Sequence, residues 1–526
     1  MTNRMRHVVA ALIVMLVALP IYWLRLNGAA GLMVDDAWYV LLATSLANGS
    51  GYRIISSATD AVLPLYPPGF PAVLSLVFRV SPEFPQNVAL LKSVSIAAMM
   101  GVGLLSFVYL RAHRGLSREM AGCVAVATVV VPAFVFLATS TVMSECVFTL
   151  AQLATVVLIH RSVESSDDRR RLLYAIAAAA IAAASVLIRS AAAGLIVAVA
   201  FWLLKERLWK NAALFAAVVV LCLLPWMTYA SAHAPTAQQR LAHGGAIVYS
   251  YSDQFWMRWA GAPGFGRISV GDIPARIATN LTDVLARDMG GIFVPTFLRG
   301  ASESGEEAFS LGGSPLRLPS GMDVAAVTMT ISLTLGTIVL TGFIATARRR
   351  MTVAEFLVPI SLAVVLLWPF WSFRFVLPLT PFLFFYLAIG LQTLTRSPQV
   401  ARMALLCLIG LNLYDHAGYI LLARGQPSAS RGEWLGNARE VEAALDWVRD
   451  NLGTDGMIAS TNPALLYLRT GRQSITYANT RAALPTWRTQ GVRYLVCLVP
   501  FELPAGAPGD YKILYRSPAQ LWVIEL

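Results

Sequence analysis

Two acids stand side by side at Asp35 and Asp36. They lie just beyond a hydrophobic run, Val8 to Leu24, that can cross most of a bilayer at roughly 1.5 Å per residue. A carboxylate tethered there stays near one membrane face. It can do acid/base or metal work on something that arrives in the lipid. Three further charges lie at the ends of apolar runs: Glu145 in STVMSECVF, Arg189 after SVLI, and Arg374 in WPFWSFRFVLPLTPF. Charge inside a membrane costs about 2.5–3.5 kcal/mol at a helix centre, so each of these needs a partner or a role. Each also has an ordinary explanation. Acids favour helix N-termini, which makes Asp35, Asp36 and Glu145 candidate caps. Arginines can reach from an apolar helix to the interface, which accounts for Arg189 and Arg374 without function. Lys92 reads as an interfacial cation of the same kind.

The elements that must position these residues are membrane helices. The chain has 526 residues, 57% hydrophobic and 13% charged, with a mean hydropathy of +0.63. Apolar runs recur along most of it, long and uniform rather than alternating, which is the pattern of helices and not of a barrel. Hydropathy gives about eleven spans: 8–24, 87–110, 120–138, 144–160, 172–189, 191–204, 211–230, 323–346, 353–370, 374–394 and 401–422. The fifth and sixth meet at Arg189–Ser190 and read as two short helices or one broken helix. With the N-terminus inside, every short basic cluster falls on one side: Arg4 and Arg6, Arg111 to Arg118, Arg161 to Arg171, Lys205 to Lys210, Arg348–Arg350, and Arg396 with Arg402.

That orientation leaves the outer loops 25–86 and 231–322, and the tail 423–526, on the opposite face. Asp35, Asp36, Glu145, Arg189 and Arg374 then share that face. The domain expectation is a transmembrane domain over 1–422 and a small extracytoplasmic α/β domain over 423–526. The tail's helical spacing at Ala438–Asn451, short helix at Pro463–Leu468 and strand-like runs at Met457–Ser460, Tyr494–Val499, Ile513–Tyr515 and Leu521–Ile524 support the second. Ala37–Ala47 reads as an amphipathic stretch lying along the membrane surface. The aromatic cluster around Trp368–Phe375 reads as an interfacial belt.

Other chemistries find little footing. The net charge of +12 is an orientation signal in short loops rather than a nucleic-acid surface. The five cysteines have no metal-ligand or disulfide spacing and read as buried thiols. His233 and His243 lack a supporting acid pattern for zinc. No Walker loop, Rossmann fingerprint or G-x-S-x-G stands where it would be needed, so no nucleotide is expected and any energy must arrive with the substrate. The first run has no convincing cleavage site and reads as a retained signal anchor.

At these residues the chain resembles the C-type (GT-C) membrane glycosyltransferases, most closely the branch of protein O-mannosyltransferases and the lipid A aminoarabinose transferase. The resembling stretches are VDDAWYVLLATSLANG, YPPGFP at Tyr66–Pro71, the acid Glu145, RFVLPLTPFLFFYLAIG at 374–390, and a tail with LDWVRDN and LLYLRTGR. The resemblance implies a GT-C fold and inverting transfer of a sugar from a polyprenyl-phosphate donor on the outer face. It implies Asp35 as general base, Asp36 as its less constant neighbour and Glu145 as the second acidic site, which helps position acceptor or metal. It places Tyr66, Pro67 and Pro68 in the substrate region. Some members have Lys before the Pro-Pro, so here a cationic phosphate contact falls to Arg374 or Arg189.

The chemistry is sensible by itself. Inverting transfer needs a base on the acceptor hydroxyl and cations at the departing phosphate, and arginine's planar fork suits phosphate oxygens. A divalent cation (Mg, Mn or Zn) can share that task through Asp36 or Glu145. The expected acceptor is an outer-face lipid, glycan or protein. The Ala- and Arg-rich composition suggests a bacterial inner-membrane protein. The alternatives are a transporter or flippase of lipid-linked sugars, which calls for charges spread through the membrane and repeated halves, and a non-catalytic scaffold.

Overall fold

A computed structural model describes residues 17–261, 263–295, 309–311, 314–316, 323–370, 372–425, 438–453, 455–477, 484–500, 502–503 and 510–526. Of the first expected span only residues 17–24 fall in this set, and they are helical. The 25–86 loop holds α1 (Asp35–Ala47) and α2 (Gly69–Val80). Then come α3 (Val88–Ala112), α4 (Arg118–Val129), α5 (Pro132–Ser140), α6 (Glu145–Glu164), α7 (Asp168–Ile188), α8 (Ala193–Lys205) and α9 (Trp209–Ala232). The 231–322 loop contains α10 (Ile273–Asp283). It is followed by α11 (Val324–Arg349), α12 (Val353–Leu367), α13 (Thr380–Thr395) and α14 (Pro398–Gly425).

Each expected span after the first has a helical counterpart. Among the described residues seven helices are long and apolar enough to cross a membrane, or eight if the pair α4–α5, bent by 48°, is one span. The bend has a local cause. Val131 precedes Pro132 and is held extended, at ψ 124°, because proline crowds the α conformation of the residue before it. α12, and α8 with its leading 3-10 turn, are apolar but shorter. The Arg189–Ser190 junction separates two helices: Arg189 is extended (φ −152°, ψ 119°) at the end of α7.

The charged residues gather at the two ends of the bundle. Arg114, after α3, meets Glu355, at the start of α12, at 2.7 Å, so two loops from the basic side touch. Tyr386 of α13 donates to the same carboxylate at 2.8 Å. At the other end of the bundle Glu145, Arg189 and Arg374 meet, at the N-terminus of α6, the C-terminus of α7 and the one-turn helix Phe373–Val376.

Several expectations change. α1 is not an amphipathic surface helix. Tyr39, Val40 and Ala43 pack into the helical bundle, while Ala37, Trp38 and Leu41 pack into the core of the tail. It is apolar on both sides because it is buried between two layers. Lys92 does not reach water. It is fully buried, and its Nζ donates to the carbonyls of Asn27 and Thr139 and to Asn27 Oδ1 at 2.8–3.1 Å. In the aromatic cluster, Trp368 and Phe370 pack on Tyr251 and Trp259 of the 231–322 loop. Cys222 and Cys407 are exposed on the outside of their helices rather than buried.

The tail folds as α15 (Ala438–Asn451), β1 (Met457–Ser460), α16 (Pro463–Thr470), β2 (Ile475–Thr476), β3 (Val492–Cys497), β4 (Lys512–Arg516) and β5 (Trp522–Glu525). The sheet order is β2-β1-β3-β5-β4, parallel from β2 to β3 and antiparallel beyond. The 25–86 loop is stitched to it. Asn462 Nδ2 donates to the Gly31 carbonyl at 2.7 Å, and Ser474 N–H donates to the Ser56 carbonyl at 2.9 Å. The tail therefore shares its core and its hydrogen bonds with residues 31–62.

Candidate active site

Asp35 is delivered by a strained turn. Its N–H donates to the Met33 carbonyl at 2.6 Å, closing a γ-turn around Val34, which sits at φ 62°, ψ −55°. This is the rare hand of that turn, and a β-branched residue there is an outlier. The neighbouring carboxylate holds it. Asp36 Oδ1 accepts from the N–H groups of Met33 and Ala37, and Oδ2 from that of Gly31, at 2.8–3.1 Å. Gly31 adopts φ +84°, and a side chain there would strike Leu465 at 2.7 Å. Asp36 is buried, and burial, more than the nearby Asp35 charge, pushes its carboxyl up to about 6 against the opposing Gly31 N–H. Backbone strain maintained by surrounding contacts is a feature of functional sites.

Around Asp35 the structure brings together four of the other expected residues. Tyr66 donates its hydroxyl to Asp35 Oδ1 at 2.8 Å. Arg374 bridges the two acids, Nη1 to Asp35 Oδ2 at 3.0 Å and Nε to Glu145 Oε1 at 2.9 Å. Arg189 Nη1 reaches the same Glu145 oxygen at 3.1 Å and Ser144 Oγ at 3.3 Å. The side chain of Asp35 is 32% exposed and that of Arg374 18%, while Glu145 is fully enclosed. The exposed carboxylate is thus the front of a charge chain that runs inward. Arg189 and Arg374 are partners of acids rather than interfacial cations. Glu145 Oε2 and Arg189 Nε are buried with no partner among the described residues, so the chain has spare capacity to accept and donate.

The YPPGFP stretch supplies both contact and scaffold. The Tyr66 ring stacks on Tyr39 at 4.9 Å, and its phenol is pushed well up by burial and by the Asp35 carboxylate, which keeps it a donor. Pro67 and Pro68 put no charge on the site. The Pro67 carbonyl accepts from Tyr52, and Pro68 precedes α2. Gly69 permits close approach to the end of α7. A Cβ there would stand 2.7 Å from the Leu187 carbonyl, two residues before Arg189.

The expected metal donors do not converge. Asp36 is engaged with three backbone N–H groups, and Glu145 Oε1 is met by two guanidinium groups. Neither acid belongs to a described cluster of potential metal ligands. Cations beside Glu145 oppose a further cation, so these two residues do not fit the divalent ion the sequence allowed. His233 is exposed and stacked on Tyr229. His243 is buried beside Trp38, and burial lowers it to about 4. Neither histidine approaches the acids as part of a metal-ligand cluster.

Sequence reasoning missed Tyr39, whose hydroxyl lies 3.3 Å from Ser144 Oγ, because a tyrosine in an apolar run carries no charge signal. It also missed Asp288. This buried acid ends a π-helical segment, Val284–Asp288, and accepts a hydrogen bond from Ser372, two residues before Arg374. The only signal was an acid in an otherwise undecoded loop.

No protein-family model and no curated protein sequence matches the chain. Solved structures do. The crystal structure of the Archaeoglobus fulgidus oligosaccharyltransferase in the apo form superposes with a TM-score of 0.57 at 14% identity, over 93% of this chain and 69% of that one. Archaeal oligosaccharyltransferase AglB from the same organism, in complex with an inhibitory peptide and a dolichol-phosphate, gives 0.55 at 16%, over 94% and 69%. ArnT from Cupriavidus metallidurans bound to undecaprenyl phosphate gives 0.47 at 12%, over 98% and 97%. At these identities the oligosaccharyltransferase likeness shows the fold, which is the GT-C fold.

Proposed function

We propose that this chain is an inverting glycosyltransferase of a bacterial inner membrane. It takes a sugar from a polyprenyl-phosphate carrier and passes it to a hydroxyl of a lipid, glycan or protein on the outer face. The observation that carries this reading is the half-open ion network: an accessible Asp35 whose charge is met by Arg374, backed by Glu145 and Arg189. Asp35 is the general base that takes the acceptor proton as the sugar is attacked. Arg374 and Arg189 meet the carrier phosphate, on which negative charge grows as the glycosidic bond breaks. Glu145 is a positioning residue. It holds both guanidinium groups at the same point and keeps them forked.

In the resting network Arg374 is paired to the proposed base. A phosphate that draws Arg374 toward itself frees Asp35 Oδ2 for the acceptor, so donor binding and base activation are linked. Tyr66 keeps the other oxygen oriented. Asp36 acts through the Val34 turn and not on substrate. The shared fold with an oligosaccharyltransferase seen with dolichol-phosphate supports a polyprenyl carrier. The eleven helices counted from hydropathy would each cross the membrane, with the tail and the acids extracytoplasmic.

The test is transfer from a defined undecaprenyl-phosphate sugar by purified protein in detergent. Asp35→Asn should lose about 100-fold or more in rate, the scale of a positioned general base, with carrier binding kept. Arg374→Ala should weaken carrier binding as well. Full transfer by Asp35→Asn would overturn the assignment.

A further inference from the structure

The end of the bundle opposite Asp35 carries a second cluster, which the proposed reaction does not use. His113 follows the C-terminus of α3. His160 and Glu164 lie one turn apart at the end of α6, a spacing that puts them on one helix face. One ligand atom from each of the three lies within 4.8 Å of the other two. His113 Nδ1 is 3.0 Å from Glu164 Oε2. The two imidazole rings stack with centroids 5.1 Å apart, and Trp202 of α8 covers His160 at 4.7 Å.

Both imidazoles are enclosed, the His113 side chain 2% and His160 2% exposed, and Nε2 of each has no hydrogen-bond partner. A buried unpaired nitrogen forfeits a hydrogen bond, and such groups are rare enough that each calls for an explanation. One on each of two adjacent rings, beside a carboxylate, marks a polar cluster short of partners. His416, by contrast, spends its nitrogens on Arg25 and the Val130 carbonyl. Among the described residues no other trio of His, Cys, Asp or Glu converges in this way.

We propose that His113, His160 and Glu164 form a zinc site that clamps α3 to α6. Two imidazoles and one carboxylate are a zinc donor set, and three protein ligands leave a fourth position for water. Magnesium and calcium prefer all-oxygen shells. Donors on tetrahedral zinc stand about 3.4 Å apart, so His113, through Nδ1, and Glu164 are already close enough and His160 closes on them. Glu164 is half exposed at its helix end and is the ligand best able to swing inward. Two cations face His160, Arg114 and Arg350, and the first is neutralised by Glu355. Glu145 and His160 are separated along α6 by roughly 22 Å at 1.5 Å per residue. The site therefore acts on the helical frame and not on the transferred sugar.

The test uses the full chain in detergent, stripped with a chelator and titrated with zinc alone. One zinc per chain and a rise in melting temperature are expected. Cobalt in its place should give the intense visible bands of a tetrahedral site. His160→Gln and Glu164→Gln should each weaken zinc binding at least tenfold, while His243→Gln should not. Glu164 is half exposed, so its variant keeps the fold, which its melting temperature without metal verifies. Substoichiometric zinc, or binding unaltered in both variants, would overturn the site.

Discussion

Asp35 and Asp36 are adjacent, yet the fold gives them different work. Asp35 is partly exposed and pairs with Arg374. Asp36 is turned into backbone N–H groups that hold a strained Val34 in place. The cost of that arrangement is pH-dependent. Burial raises the Asp36 carboxyl from an ordinary 3.8 to about 6, so the folded state takes up its proton before the unfolded state does. The resulting contribution to stability is complete below about 3.8 and is lost as pH rises through about 6. Wild type should therefore gain stability relative to Asp36→Asn as pH falls from 7 to 4, by on the order of 2–3 kcal/mol. Unfolding both proteins in detergent across that range measures it, and a difference that stays flat would remove burial as the cause. Asp35, Glu145, Arg189 and Arg374 were legible in sequence because charge at the end of an apolar run must be answered. Lys92 was misread because a lysine near a helix end can reach water or turn inward, and the carbonyls of Asn27 and Thr139 that turn it inward lie elsewhere in the chain.

Among the elements, α11 depends most on a single contact. Most of its surface is exposed, and lipid offers helices no hydrophobic drive to associate, so close packing must hold it. Two glycines provide this. A Cβ on Gly342 would stand 1.9 Å from the Tyr386 carbonyl, and one on Gly390 would stand 2.0 Å from that of Ile338. Neither overlap can relax without parting α11 from α13. Tyr386 also donates to Glu355, so separation would disturb the Arg114–Glu355 pair. Gly342→Ala and Gly390→Ala should each lower the melting temperature in detergent by several degrees. Gly410→Ala on α14, where a Cβ meets nothing within 4 Å, should leave it unchanged or raise it slightly, as alanine is the better helix former. Equal melting of all three variants would show that the crossing has slack. The spans themselves were readable from hydropathy. The importance of these glycines was not, because runs such as VLTGF do not say which helix lies opposite.

At the scale of the whole molecule, the tail reads in sequence as a separate soluble domain, since its periodicity and strands are clear. What sequence could not show is that α1 belongs to its core. Val441, Leu445 and Leu465 pack in one cluster with Ala37, Trp38 and Leu41, and Asn462 ties α16 to Gly31, whose N–H in turn meets Asp36. A path of contacts thus joins the tail to the turn that presents Asp35. Two outcomes follow. Residues 423–526 expressed alone should lack a cooperative unfolding transition, because the apolar face that α1 covers would be bare. In the full chain, Asn462→Ala should lower the rate of sugar transfer with little change in carrier binding, because it loosens the base and leaves Arg189 and Arg374 in place. Leu514→Ala, on the far strand β4, perturbs the same tail without touching Gly31 and serves as the control for general instability. If Asn462→Ala and Leu514→Ala lower transfer equally, the tail supports the fold but does not set the position of Asp35.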